Sequence, residues 1–259
     1  MRTRSRRAVE AARGLIDELG LTEPSEIDVE LIAAYLGVHV RYRPLGNQEG
    51  HLLRSGDSGL VVVDEAATTS SKWRFVIGHE LGHFMLHPDE DQLHVCTDGA
   101  LRETGRITRQ EFEANDFAAE LLMPSAMFAP RVERISGGPP TIWEVSALAR
   151  AFDTSLTATA LRFILHTQEA CALAHVTGGR IDWWTRTRAF VPKLRPGAAI
   201  PEGTLTAAVA AGEHAPSVSV PSEPLAWSKT MRAAKLELFE HAVSLGGYGS
   251  VLALLWHGV

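Results

Sequence analysis

The sequence predicts an α+β fold, and three observations carry that prediction. Residues 72–86 form a proline-free, largely apolar stretch with helical spacing; short strand-like runs precede it; and a second group of short strands follows residue 170. The elements follow in order. Val9, Leu15, Ile16 and Leu19 recur at helical intervals and Gly20 is placed to stop that helix; a second helix is expected over residues 29–36, ending at Gly37. Residues 38–42 alternate like a strand, and Leu60, Val61, Val62 and Val63, between Gly59 and Asp64, read as a buried strand after a Gly-containing turn.

The apolar stretch at 72–86 reads as a buried helix that must end before Pro88, because proline cannot continue an α-helix. Residues 88–107 are polar and acidic, with the Asp98-Gly99 turn signal, and are expected to form a loop. A further helix is expected over 108–122, with Thr108 as N-cap, Glu111 completing a capping box, and Pro124 interrupting it. Gly137-Gly138-Pro139-Pro140 marks a break. Beyond it, residues 141–151, a turn at 152–155 and a helix over 156–166 form a helix-turn-helix-like pair. The rest reads as strands at 172–176 and 181–184, a Pro/Gly/Ala-rich stretch at 196–224, and a final helix and strand within 231–256. The expected organisation is a core at 1–136, the helix-turn-helix-like segment at 137–168, and a small α+β appendage of unassigned role at 169–259, with no internal repeats.

Composition narrows the function. With 259 residues, 45% hydrophobic and 22% charged, the chain can bury a sizeable core. A formal charge of -6 argues against a protein that coats nucleic acid, since that affinity comes from many Lys and Arg contacts to phosphate. The basic N-terminus has no apolar signal-peptide core, and no apolar run reaches the roughly 18–20 residues needed to span a bilayer. A cytoplasmic location is expected. The two cysteines, Cys96 and Cys171, stand in no metal-binding spacing and offer no disulfide framework.

The chemistry sits in His79-Glu80-Leu81-Gly82-His83. Histidines four apart on a helix share one face, so both imidazoles can reach a single zinc ion. Glu80 then lies beside the ion, where a carboxylate can act as general base toward a water whose pKa the ion lowers to about 7. The flanking Val76, Ile77, Phe84 and Met85 are apolar, a setting in which an unpartnered imidazole is costly. A catalytic site needs a third protein ligand. A three-histidine pattern would place Gly at 86 and His at 89, but those residues are Leu86 and Asp89. Glu111, 28 residues after His83, is the favoured alternative and Glu113 the second choice. His87 continues the stripe one turn on, where it is expected to cap the helix or support a ligand. His94 and Cys96 are expected to be ordinary loop residues.

Two blocks extend this beyond a short motif. Residues 74–87, containing His79-Glu80-Leu81-Gly82-His83-Phe84-Met85-Leu86-His87, and residues 111–124, beginning Glu111-Phe112-Glu113-Ala114-Asn115, resemble in order the two signatures of the ImmA/IrrE family of metallopeptidases. The resemblance covers about residues 8–166. It implies a zincin-like core with an active-site helix and small sheet, Glu111 as third ligand, and Asn115 on the same helix face orienting a metal-bound histidine. It further implies proteolysis inside the cell, typically of a helix-turn-helix transcriptional repressor, in phage-like elements or stress responses. Some members carry a C-terminal sensor domain, a part that residues 170–259 would play.

A protein substrate is expected to add its backbone to the strand Leu60, Val61, Val62 and Val63 as to a sheet edge. The competing reading is a DNA-binding or sensing regulator with a non-catalytic metal site. Against it, the second helix of the helix-turn-helix-like pair offers one cation, Arg162, so packing is favoured over direct nucleic-acid binding.

Overall fold

The computed structural model describes residues 4–46, 48–69, 72–88, 94–96, 108–135, 137–228, 233–246 and 249–258. The chain is mixed α+β and divides into two compact units, Arg2–Phe128 with Arg150–Ser155, and Ala129–Ala149 with Leu156–Val259.

In the first unit, α1 (Arg6–Glu18) buries Ala8, Ala12, Leu15 and Ile16. It ends where Gly20 takes a φ of 66°, a left-handed conformation that glycine adopts without steric cost. Asp28 caps α2 (Val29–Tyr35) by accepting from the Glu30 and Leu31 N–H groups, satisfying donors that a helix start leaves open. Then come β1 (Val38–Arg43), β2 (Gly50–Ser55), β3 (Ser58–Asp64), α3 (Lys72–Leu86), β4 (His94–Cys96, backbone only) and α4 (Arg109–Leu122). The sheet order is β1-β3-β2-β4, with β1 parallel to β3 and β2 antiparallel to both of its neighbours.

This order corrects one expectation. Leu60, Val61, Val62 and Val63 lie on β3, which is paired with β1 on one side and β2 on the other. Its backbone donors and acceptors are already taken, so a peptide cannot add there; the outer strands are β1 and β4. The sequence hides this because the residues of β2, Gly50-His51-Leu52-Leu53-Arg54-Ser55, alternate poorly and open on glycine.

Helix α3 is buried on nearly every side, with Lys72, Trp73, Phe75 and Met85 its more exposed residues. Two glycines explain how it packs so closely. A Cβ on Gly82 would lie 2.9 Å from Ala114 Cα, and one on Gly78 would lie 3.4 Å from Ala118 Cβ. Glycine in a helix costs about 1 kcal/mol relative to alanine, and here it brings the α3 backbone against the Ala114 and Ala118 face of α4. At Gly50, β2 crosses α3 so tightly that a Cβ would collide with the Val76 side chain.

Two charged anchors hold this unit. The buried Arg74 guanidinium donates to the carbonyls of Ile27 (2.5 Å), Phe152 (2.9 Å) and Asp153 (3.0 Å) and pairs with the Asp153 carboxylate at 3.1 Å. The buried Glu120 carboxylate accepts from Arg4 (3.0 Å), Arg13 (2.9 Å) and both the backbone and hydroxyl of Ser125 (3.0 Å each), fixing α1 against α4.

The helices α5 (Ser125–Glu133) and α6 (Ile142–Phe152) follow, and the turn after α6 places Asp153 at φ 48° before α7 (Leu156–His166). Thr141 and Glu144 form a reciprocal capping box at the start of α6. The second unit is built on an antiparallel sheet ordered β6-β5-β9-β8-β7, from β5 (Ala170–Thr177), β6 (Arg180–Arg186), β7 (Val220–Ser222), β8 (Leu238–Ser244) and β9 (Val251–His257). The final helix expected within 231–256 is not formed by residues 238–244, which are β8. A central strand covered on both faces loses its period-two signature, and β8 lies between β9 and β7 with Leu238, Glu240, His241, Ala242 and Val243 buried. Glu240 accepts from the Leu205 N–H at 2.6 Å and the Thr206 hydroxyl at 2.9 Å, at the start of the short helix α8 (Leu205–Ala210). A bulge beside His175 turns Asp182 toward that ring, whose Nδ1 lies 2.8 Å from Asp182 Oδ2 and Nε2 3.0 Å from Ser250 Oγ.

Candidate metal centre

The close α3–α4 contact brings three donors to one point. His79 Nε2 and His83 Nε2 lie 3.1 Å apart, and the Glu111 carboxylate oxygens lie 3.3 Å from each. Ligands about 2.1 Å from a tetrahedral ion stand about 3.4 Å from one another, so these separations fit a zinc-sized cation. Among the described residues, His79, His83 and Glu111 are the group of ionisable side chains close enough to share an ion. His79 and His83 are 6% and 1% exposed, whereas a third of the Glu111 side chain faces solvent.

The electrostatics favour a cation. Burial opposes charge on the His79 ring, but the hydrogen bond to Glu111 and the charges of Glu80 and Glu111 outweigh it and raise its pKa. Conversely, the His79 and His83 rings hold the Glu111 carboxyl well below the usual carboxylate range, against the opposing effect of burial. The contact between Glu111 and the imidazoles acts in both shifts, each partner stabilising the charged form of the other.

The remaining sequence candidates divide cleanly. Glu80 is fully buried on α3, where Gly50 supplies no side chain toward its carboxylate; a Cβ there would lie 3.9 Å from Glu80 Oε1. Asn115 Oδ1 is 3.1 Å from His79 Nδ1, on the side of the ring away from Glu111. Thr108 caps α4 by accepting from the Glu111 N–H, while the Glu111 carboxylate is engaged by the histidines. Glu113 is turned elsewhere, to His87 Nε2 at 3.2 Å and Arg109 Nε at 2.9 Å. His87 Nδ1 in turn lies 3.2 Å from His83 Nδ1. Sequence reasoning did not find the Glu113–His87 pair or the glycine seam. The signal for the seam was present, as Gly78 and Gly82 on α3 and Ala114 and Ala118 on α4 share a four-residue spacing. Asp89 and the side chains of His94 and Cys96 lie outside the described residues.

Residues 33–163, about half of the chain, match the family model described as the IrrE N-terminal-like domain. The chain is 30% identical over 127 residues to the "Radiation response metalloprotease IrrE" of Deinococcus radiodurans, covering 48% of this chain and 36% of that protein. It is 27% identical over 118 residues to the "Phage-like element PBSX protein XkdA" of Bacillus subtilis, covering 46% of this chain and 54% of that one. The matched stretch thus spans between a third and just over half of these relatives. A solved structure named "Mycobacterium tuberculosis transcriptional regulator" superposes with a TM-score of 0.59 over 98% of this chain and 88% of that chain at 14% identity, a likeness of fold. The matched segment contains α3, α4 and all three converging donors, and the chain belongs to the ImmA/IrrE family of metallopeptidases, through its IrrE N-terminal-like domain.

Proposed function

We propose that this chain is a zinc-dependent endopeptidase in which His79, His83 and Glu111 hold the metal and Glu80 is the general base. The observation that carries the proposal is the convergence of one carboxylate and two imidazoles from α3 and α4 at mutual distances of 3.1–3.3 Å, with the carboxylate side chain one-third exposed. Bound there, zinc would supply Lewis-acid polarisation of the scissile carbonyl and acidify the attacking water. The protein's own groups do the rest. Glu80 would take a proton from the attacking water as the water oxygen bonds to the carbonyl carbon, and return it to the amide nitrogen as the C–N bond breaks. Asn115 accepts from His79 Nδ1–H, which fixes the tautomer that leaves Nε2 free to coordinate.

The substrate class proposed is a helix-turn-helix transcriptional repressor inside the cell, the role carried by the family resemblance. No helix among the described residues is long and apolar enough to cross a membrane. Arg162, the cation available to a DNA-reading helix on α7, is buried at 2% exposure, while the exposed positions of that helix include Leu161 and Leu165. This supports a packing role for α7 over contact with nucleic acid. The test is metal content and cleavage together. Wild type is expected to carry one equivalent of zinc and cleave a repressor, Glu111→Ala to lose the metal, and Glu80→Gln to keep the metal while losing about 10²–10⁴-fold in rate. Absence of zinc from the wild type after metal is supplied would refute the reading.

A further inference from the structure

Resting on that metal-site reading, we infer that His87 and Glu113 are positioning residues for His83, forming a directional hydrogen-bond relay that runs from the metal to a buried carboxylate. The direction follows from proton counting. His79 and His83 both present Nε2 to the site, 3.1 Å apart, so coordination requires the Nε2 lone pair of His83 and leaves its proton on Nδ1. The atom 3.2 Å from that Nδ1 is His87 Nδ1, which must therefore accept and carry no proton. A neutral His87 then bears its proton on Nε2, and the atom 3.2 Å away is Glu113 Oε2, an acceptor. With this assignment every link pairs one donor with one acceptor.

Burial and anchoring make the relay stiff. His87 and Glu113 are 9% and 4% exposed. Glu113 also accepts from Arg109 Nε at 2.9 Å and Ser5 Oγ at 3.4 Å, with Arg7 at 3.9 Å, so its second oxygen and its charge are both matched. The two metal-binding histidines thereby receive different support. His79 donates to a neutral amide, whereas His83 donates through an imidazole toward an anion. Hydrogen bonding of this kind fixes ring orientation and raises ligand basicity, and its loss weakens metal binding by about 10–100-fold. The sequence device is a histidine one turn beyond the second ligand and a glutamate two residues beyond the third.

The experiment uses the full chain. Zinc dissociation constants are measured by chelator competition for wild type, His87→Phe, Glu113→Gln and the double variant, with melting of each zinc-free protein recorded alongside. Both single variants are expected to weaken zinc by about 10–100-fold, and the double variant to be no weaker than His87→Phe, because a broken relay cannot be broken twice. In zinc-loaded wild type labelled with ¹⁵N-histidine, a nitrogen–nitrogen coupling across the His83–His87 hydrogen bond is expected, with His87 in the Nε2–H form. Additive losses, unchanged affinities, or His87 protonated on Nδ1 would overturn the relay. If wild type takes up no zinc at all, the peptidase reading falls first; if it does and Glu111→Ala loses it, any failure belongs to the relay alone.

Discussion

The glycine seam makes the sharpest prediction. Gly82→Ala places a methyl group 2.9 Å from Ala114 Cα, 3.1 Å from its carbonyl oxygen and 3.3 Å from its Cβ. Carbon atoms rest at about 3.5–4.0 Å, so the two helices must part by roughly 0.6 Å or more, and the obstacle is largely backbone that cannot rotate aside. Ala114 stands one turn from Glu111 on α4, and a rigid helix transmits the shift to that ligand. Metal sites tolerate about 0.2 Å in ligand distance. Overpacking costs about 1–3 kcal/mol, while replacing a helical glycine by alanine returns about 1 kcal/mol, giving a net loss of about 0–2 kcal/mol in stability. Zinc affinity should fall as well, by on the order of tenfold or more. Gly78→Ala is the internal control: its added carbon meets Ala118 Cβ at 3.4 Å, an ordinary contact, so up to about 1 kcal/mol of stabilisation with unchanged zinc binding is expected. Chelator competition and thermal melting read both quantities. Wild-type zinc affinity in Gly82→Ala would refute the argument that helix spacing sets the site.

Two other predictions concern stability. Arg74→Met removes the donors to three carbonyls and should destabilise the protein by about 3 kcal/mol or more, seen as a lowered denaturation midpoint; a loss below 1 kcal/mol would show that water replaces the guanidinium. His241 is buried, accepts from the Ile142 N–H through Nδ1 and donates to the Pro216 carbonyl through Nε2; burial is the main cause that lowers its pKa. The folded state therefore holds it neutral. Its contribution is complete above the unfolded value near pH 6.5 and is lost as pH falls below it, because the unfolded chain then takes up the proton first. His241→Gln should show a smaller drop in melting temperature between pH 7.5 and 5.5 than wild type, and an equal drop would count against the assignment.

Much of the site was legible because its signals are local. The interval from His79 to His83 and from Glu111 to Asn115 is one helical turn, and Thr108 marks the start of α4 by its cap. What was not legible depends on residues far apart in the chain. β3 reads as an edge only while β2 goes unpaired with it, and the helix and strand expected within 231–256 miss β8, where burial on both faces erases the alternation. Glu113 reads as an alternative to Glu111 because sequence cannot tell which of two glutamates, two residues apart and so about 200° around the helix, faces His79 and His83. In the structure Glu111 meets His79 and His83, whereas Glu113 meets His87 and Arg109.

The depth of α3 has a further consequence. His79, Glu80 and His83 sit inside the protein, so a cation there and the folded state are linked by mass action. At a free zinc concentration a hundred times the dissociation constant, occupancy adds about 2.7 kcal/mol to folding, and that margin vanishes when the ion is withdrawn. On the proposed function, a cell short of zinc would lose more than a catalyst's activity: it would hold an enzyme that opens more often, is degraded sooner and has to be made again. The lifetime of the chain would then serve as a record of the metal supply under which it folded.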